Sequence, residues 1–103
     1  ILKGVDGIVF VADSQQERME ANIESFEQLQ KNLELQGYDI QKVPLVFQYN
    51  KRDLPGVVAV KELERTFNPM SRPSFEAVAN RGEGVMETLQ SISQLVISEL
   101  KGG

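Results

Sequence analysis

The stretch that most constrains this chain is Val43-Pro44-Leu45-Val46-Phe47-Gln48-Tyr49-Asn50-Lys51-Arg52-Asp53. A proline admits a short run of β-branched and aromatic residues, and the run stops on polar side chains. A strand of a parallel sheet, buried on both faces, reads this way, with its polar residues in the loop at its C-terminal end. Open α/β sheets bind ligands outside the carboxyl ends of their strands, which makes Asn50, Lys51 and Asp53 candidate site residues.

The rest of the chain alternates around this strand. Residues 7–12 are continuously apolar and predict another interior strand, and residues 74–79 predict a third. Residues 18–36 carry Met19, Ile23, Phe26, Leu29 and Leu33 at three- and four-residue steps, the buried stripe of a helix. Glu20, Asn22, Glu24, Glu27, Gln28 and Lys31 form its solvated back, and Gly37 marks its end. A shorter helix over residues 60–67 turns Val60, Leu63 and Phe67 inward. A last one over 85–101 does so with Val85, Leu89, Ile92, Val96 and Leu100. Residues 38–42, 54–56, 68–73 and 80–84 are connections. The order β-α-β-α-β-α predicts an α/β fold, a three-layer parallel sheet with flanking helices, as one domain over residues 1–103.

Asp13-Ser14 closes the first strand. Either side chain can cap the following helix or tie the loop, and Glu17 stands where a capping box places its acid. No second carboxylate clusters with Asp13 in sequence, which argues against a metal or phosphoacceptor role. Asn80-Arg81-Gly82-Glu83-Gly84 lacks the spacing of a phosphate-cradling loop and reads as a tight turn.

Composition removes several chemistries. The chain has no cysteine and no histidine, so thiolate chemistry, disulfides and the commonest general base are absent from it. A net charge of −4 argues against a general nucleic-acid surface. No apolar run approaches the ~20 residues of a membrane span. These features fit a cytoplasmic protein. The chain opens on Ile1 without methionine and enters strand-like sequence within a few residues, as part of a longer protein would.

Three stretches carry a family resemblance: residues 1–14 (ILKGVDGIVFVADS), 48–55 (QYNKRDLP) and 76–89 (EAVANRGEGVMETL). Together they resemble the C-terminal half of a Ras-like small GTPase, with a partial P-loop NTPase fold. Within that family they are most similar to the bacterial branch serving gliding motility and cell polarity. Asn50-Lys51-x-Asp53 matches the family's guanine-reading motif, and the chemistry explains the spelling. Guanine offers two adjacent donors, its N1–H and its exocyclic amine, and one carboxylate accepts both as a charge-assisted bidentate pair. Adenine presents an acceptor at N1, and a site built for the missing donor discriminates by about 10⁴ to 10⁵. A polar loop after a strand would also spell N-K-x-D by chance in roughly one chain in a hundred of this length.

The resemblance assigns roles. Asp53 would be the base-reading carboxylate. Asn50 would tie the loop and face the O6/N7 side of the base. Lys51 would lay its stem along the base with its ammonium near the ribose, and Arg52 would point to solvent. Val78, Ala79 and Asn80 stand at the family's second base-contacting loop, S-A-K, where Ala79 would offer its N–H to guanine O6. Val78 and Asn80 depart from that pattern. Asp53-Leu54-Pro55-Gly56 also spells the family's γ-phosphate sensor, but one aspartate cannot serve both motifs.

The resemblance also implies GTP or GDP as ligand, with Mg²⁺ only where an N-terminal half supplies the P-loop and switch segments. Those segments are not spelled in these residues, so no catalytic or metal-binding residue is assigned and the 103 residues alone are expected to hydrolyse no GTP. A roadblock-type activating protein is the implied partner. The apolar strand edge from Ile8 to Val11 would self-associate or be completed by upstream sequence. The alternative is a GTPase-like protein-interaction module without catalysis. A receiver-like domain would need an acidic cluster that Asp13 does not have.

Overall fold

The computed structural model describes residues 7–102. Residues 1–6, the first part of the family resemblance, lie outside the described residues. The elements are β1 (Ile8–Asp13), α1 (Met19–Leu35), β2 (Leu45–Asn50), α2 (Val60–Phe67), β3 (Ser74–Glu76) and α3 (Val85–Gly102). Short 3-10 turns precede α1 at Gln16–Arg18 and α3 at Ala79–Arg81.

The three strands form a parallel sheet in the order β1-β2-β3. Ile8 pairs with Leu45 and Asp13 with Asn50, and Tyr49 pairs with Glu76. The expected strand is therefore central in the described sheet. Its carboxyl end is level with those of both neighbours, which gathers Asp13, Asn50 and the loop after Glu76 at one pole.

Strand alternation divides the sheet's faces. Phe10, Ala12, Leu45, Phe47 and Tyr49 join Leu63 and Phe67 of α2 in one core, with Met19, Phe26 and Leu29 of α1 packed against it. The rings of Phe10 and Phe26 meet edge to face at 4.9 Å, an arrangement adding roughly 0.5–1.5 kcal/mol beyond burial. The other face receives α3: Gln48 donates to the Thr88 hydroxyl at 3.0 Å, and Gly7 lies under Ile92 and Val96. Helices on both faces complete the predicted three layers.

Three details differ from expectation. The third strand ends at Glu76, not residue 79, because Val78 leaves the ladder for an antiparallel bridge to Glu83. On α1, Ile23 is 37% exposed whereas Asn22 is buried. The Asn22 carboxamide is drawn inward by the end of β1, where it donates to the Asp13 carbonyl at 2.8 Å. On α3, Leu89 and Leu100 are 50% and 74% exposed, and Thr88 is buried in their stead. The buried Gln48 amide of β2 needs a partner, and the buried Thr88 hydroxyl supplies it. The helix stop at Gly37 is as expected. Its φ of +86° lets the N–H of Tyr38 reach the Leu33 carbonyl at 2.8 Å.

Candidate functional site

At the carboxyl end of β2 the chain reverses through Lys51, whose φ of +64° is rare for a side-chain-bearing residue. Asn50 stabilises the reversal. Its Oδ1 accepts the N–H of Lys51 at 2.8 Å and the N–H of Ala79 at 2.9 Å. One carboxamide oxygen thus ties the loop after β2 to the loop after β3. The backbone repeats the tie where the Arg52 N–H donates to the Ala77 carbonyl at 3.2 Å.

Four of the six sequence-predicted site residues line one cleft of about 240 Å³: Asn50, Lys51, Asp53 and Asn80, with Leu54. The Asp53 carboxylate stands at its rim, and the Arg81 guanidinium lies 3.9 Å away. Ala79 contributes backbone, and its N–H is engaged by Asn50. The Val78 side chain is buried and its backbone makes the bridge to Glu83, which gives it a structural place beside the cleft.

Arg52 corrects the sequence expectation, for it does not point to solvent. Its guanidinium donates to the Val58 carbonyl at 2.6 Å and pairs with Glu76 at 3.2 Å. The physical reason is the loop over residues 53–58. It closes against Ser14, whose carbonyl accepts the Val58 N–H at 2.8 Å, and the Val58 carbonyl in turn needs a donor.

Asp13 performs the loop-tying that was one of its two expected roles. Its Oδ1 accepts the backbone N–H of Gln15 at 3.1 Å, and its Oδ2 lies 3.3 Å from the Lys51 ammonium. Partial burial works to raise its pKa, but the Gln15 hydrogen bonds and the lysine charge outweigh it and leave the carboxyl below the usual aspartate range. The capping role is not realised. Neither Gln16–Arg18 nor α1 has a side-chain cap, and the Ser14 hydroxyl is buried without a partner. Ser14 acts through its backbone, donating to the Asn50 carbonyl and accepting from Val58.

A larger cavity, about 480 Å³, opens at the amino ends of the strands among Phe26, Phe47, Phe67, Ile40 and Arg72. Two of its polar side chains are committed to backbone: Arg72 donates to the Ile40 and Val43 carbonyls, and Asn68 to that of Arg72. It shares no lining residue with the cleft at the carboxyl ends of the strands. Among the described residues no cluster of acidic side chains could hold a metal ion, and no helix is long and apolar enough to cross a membrane.

A parallel three-stranded sheet with helices on both faces and a cleft between two loops joined by Asn50 fits part of a Ras-like GTPase fold, and sequence comparison agrees. A profile of the ADP-ribosylation factor (Arf) family matches residues 2–96, and the chain belongs to this family of Ras-like small GTPases. Over all 103 residues it is 58% identical to the mutual gliding-motility protein MglA of Myxococcus xanthus (strain DK1622). It covers 53% of that protein, so it spans about half the length of the curated relative it matches.

Proposed function

We propose that this chain carries the base-reading half of the guanine-nucleotide pocket of a small GTPase, a cytoplasmic molecular switch in bacterial motility and polarity. The observation that supports it best is the double acceptance by Asn50 Oδ1, which holds both base-contacting loops around one cleft with Asp53 at its mouth. In this reading Asp53 accepts the N1–H and the exocyclic amine of guanine. Lys51 walls the base, Asn80 closes the far side, and the Ala79 N–H is shared between Asn50 and guanine O6.

Triphosphate and Mg²⁺ would be held by P-loop and switch segments outside these residues, so the 103 residues supply specificity and no hydrolysis. By family resemblance, a roadblock activating protein of the MglB type would accelerate hydrolysis in the full-length protein. Single-turnover GTP hydrolysis by the isolated chain above a buffer control would count against this division of labour.

A protein-interaction role is the second reading, favoured by apolar surface on one side of the sheet. Val11 on the outer strand β1 is 50% exposed, and Leu89, Ile97 and Leu100 of α3 stand out of the core. The edge from Ile8 to Val11 could pair with a second copy. Light scattering decides this: a monodisperse monomer of these residues alone would exclude self-association.

The nucleotide reading is tested by calorimetry on the full-length protein with GDP, ADP and xanthosine diphosphate. GDP should bind and ADP should not. Asp53→Asn should weaken GDP and favour the xanthine nucleotide, because an amide offers one donor and one acceptor and xanthine presents the matching pair. Unchanged GDP affinity in Asp53→Asn would remove this carboxylate from the site.

A further inference from the structure

Asp13 lies outside both base-contacting loops, and nothing in the chemistry of guanine calls for it. Its surroundings nonetheless hold it more firmly than a surface aspartate needs. The carboxamide of Asn22, a buried residue of α1, grips its main chain from both sides, donating to its carbonyl at 2.8 Å and accepting its N–H at 3.3 Å. Gln15 holds its carboxylate three times, through the backbone N–H at 3.1 Å to Oδ1 and the side-chain amide at 3.1 Å to Oδ1 and 3.2 Å to Oδ2. The ladder sets it directly beside Asn50, and the next residue, Ser14, donates its N–H to the Asn50 carbonyl at 3.1 Å. From this fixed base Asp13 Oδ2 faces the Lys51 ammonium at 3.3 Å.

Lys51 has the opposite character. It sits on a left-handed backbone at the turn, and its side chain is 47% exposed. A lysine stem is a flexible four-carbon chain, and holding its head reduces the freedom it loses when it walls a flat aromatic ligand. We propose that Asp13, backed by Asn22 and Gln15, is the positioning residue of the cleft. It anchors the Lys51 ammonium so that the lysine stem lies across the cleft as a preformed wall for the base. This rests on the guanine reading of the cleft and adds a residue of β1 to it. It also couples α1 to the nucleotide: a shift of α1 moves Asn22, then Asp13, then the wall. The plain alternative is a partly exposed ion pair of little consequence, since such pairs contribute about 0–1 kcal/mol.

The test is the rate of GDP release from the full-length protein in wild type, Asp13→Asn, Lys51→Met, the double variant and Asp53→Asn, each at low and high salt. Asp13→Asn should speed release by about fivefold. The double variant should release GDP no faster than Lys51→Met, because Asp13 acts through that lysine. Added salt should speed release from wild type more than from Asp13→Asn, since in the variant the screened pair is already gone. Where Lys51→Met releases GDP too fast to time, the salt comparison decides. Equal acceleration by Asp13→Asn with and without Lys51 overturns the proposal, as does a salt response unaltered by Asp13→Asn. Those results with Asp53→Asn still weakening GDP sink the role of Asp13 alone. Indifference of GDP to Asp53→Asn sinks the guanine cleft itself.

Discussion

Asn50 Oδ1 receives the N–H of Ala79 at 2.9 Å across 29 positions of sequence, and this bond makes two separate loops into one site. Asn50→Ala removes the acceptor and leaves two N–H groups to water. Because both lie near the surface, the stability cost should be modest, about 1 kcal/mol. The local effect should be larger. Exchange of the Ala79 amide hydrogen should accelerate well beyond the change in global unfolding, and GDP binding to the full-length protein should fall with it. Unchanged protection of the Ala79 amide would mean that the backbone tie from Arg52 to Ala77 suffices to hold the loops.

Gly84 and Gly37 offer a controlled comparison. Both have left-handed backbones, with φ of +77° and +86°. A Cβ on Gly37 would meet nothing within 4 Å, so Gly37→Ala should cost only the backbone strain, roughly 1 kcal/mol. A Cβ on Gly84 would lie 2.2 Å from the Glu76 carbonyl oxygen. Gly84→Ala must therefore displace either the end of β3 or the start of α3, and should destabilise by at least about 2 kcal/mol more. Urea denaturation of both variants checks the order. Equal midpoints would show that the turn after β3 yields freely.

Tyr49 gives the fold an alkaline weakness. It is fully buried, and its hydroxyl donates to Glu64, which also accepts from Ser74 and Asn68. Burial first, and then the Glu64 acceptor and its charge, push the phenol's ionisation far above the ordinary value of 10.0. Below that value the phenol is protonated in both the folded and the unfolded chain, and its contribution is complete. Above it the unfolded chain gains by ionising and the folded one does not, so stability falls as pH rises. The slope for one such group approaches about 1.4 kcal/mol per pH unit. Tyr49→Phe should lose some stability at pH 7, because Glu64 gives up a donor, but should decline less steeply above pH 10. Parallel curves for the two proteins would show that Tyr49 ionises without unfolding.

The sequence made the frame of the molecule readable because apolar runs and helical stripes report burial directly. The central place of β2 and the stop at Gly37 follow from Val43-Pro44-Leu45 and from a residue without Cβ. The misreadings of the helix faces share one cause. Leu89 and Leu100 are apolar at helical spacing, yet they are exposed, while Thr88 is buried with its hydroxyl bonded to the Gln48 amide. Asn22 looks like a solvated residue but is buried by its bonds to Asp13. Periodicity registers hydrophobicity and is blind to a polar pair satisfied at long range. The motif named Asn50, Lys51 and Asp53, whereas Arg81 and Asp13 join them only through the fold. An acid ending one strand and a lysine just past the end of its neighbour was the available signal for Asp13.

Arg52, the variable position of the N-K-x-D motif, is the strongest case of a residue whose role lies in the fold. Its side chain is 17% exposed, bonded to the Val58 carbonyl and paired with Glu76. The pair with Glu76 is open to solvent on the acid's side and contributes little. The bond to Val58 matters more, because that carbonyl belongs to the segment returning from the motif to α2. Arg52→Ala should therefore destabilise by about 1–2 kcal/mol, whereas Glu76→Gln should cost only a few tenths. Arg52→Lys should recover part of the loss, since an ammonium can reach one acceptor but not both. Guanidinium titration of the three variants reads this directly. If Glu76→Gln costs as much as Arg52→Ala, the ion pair is the operative contact and the bond to Val58 is incidental.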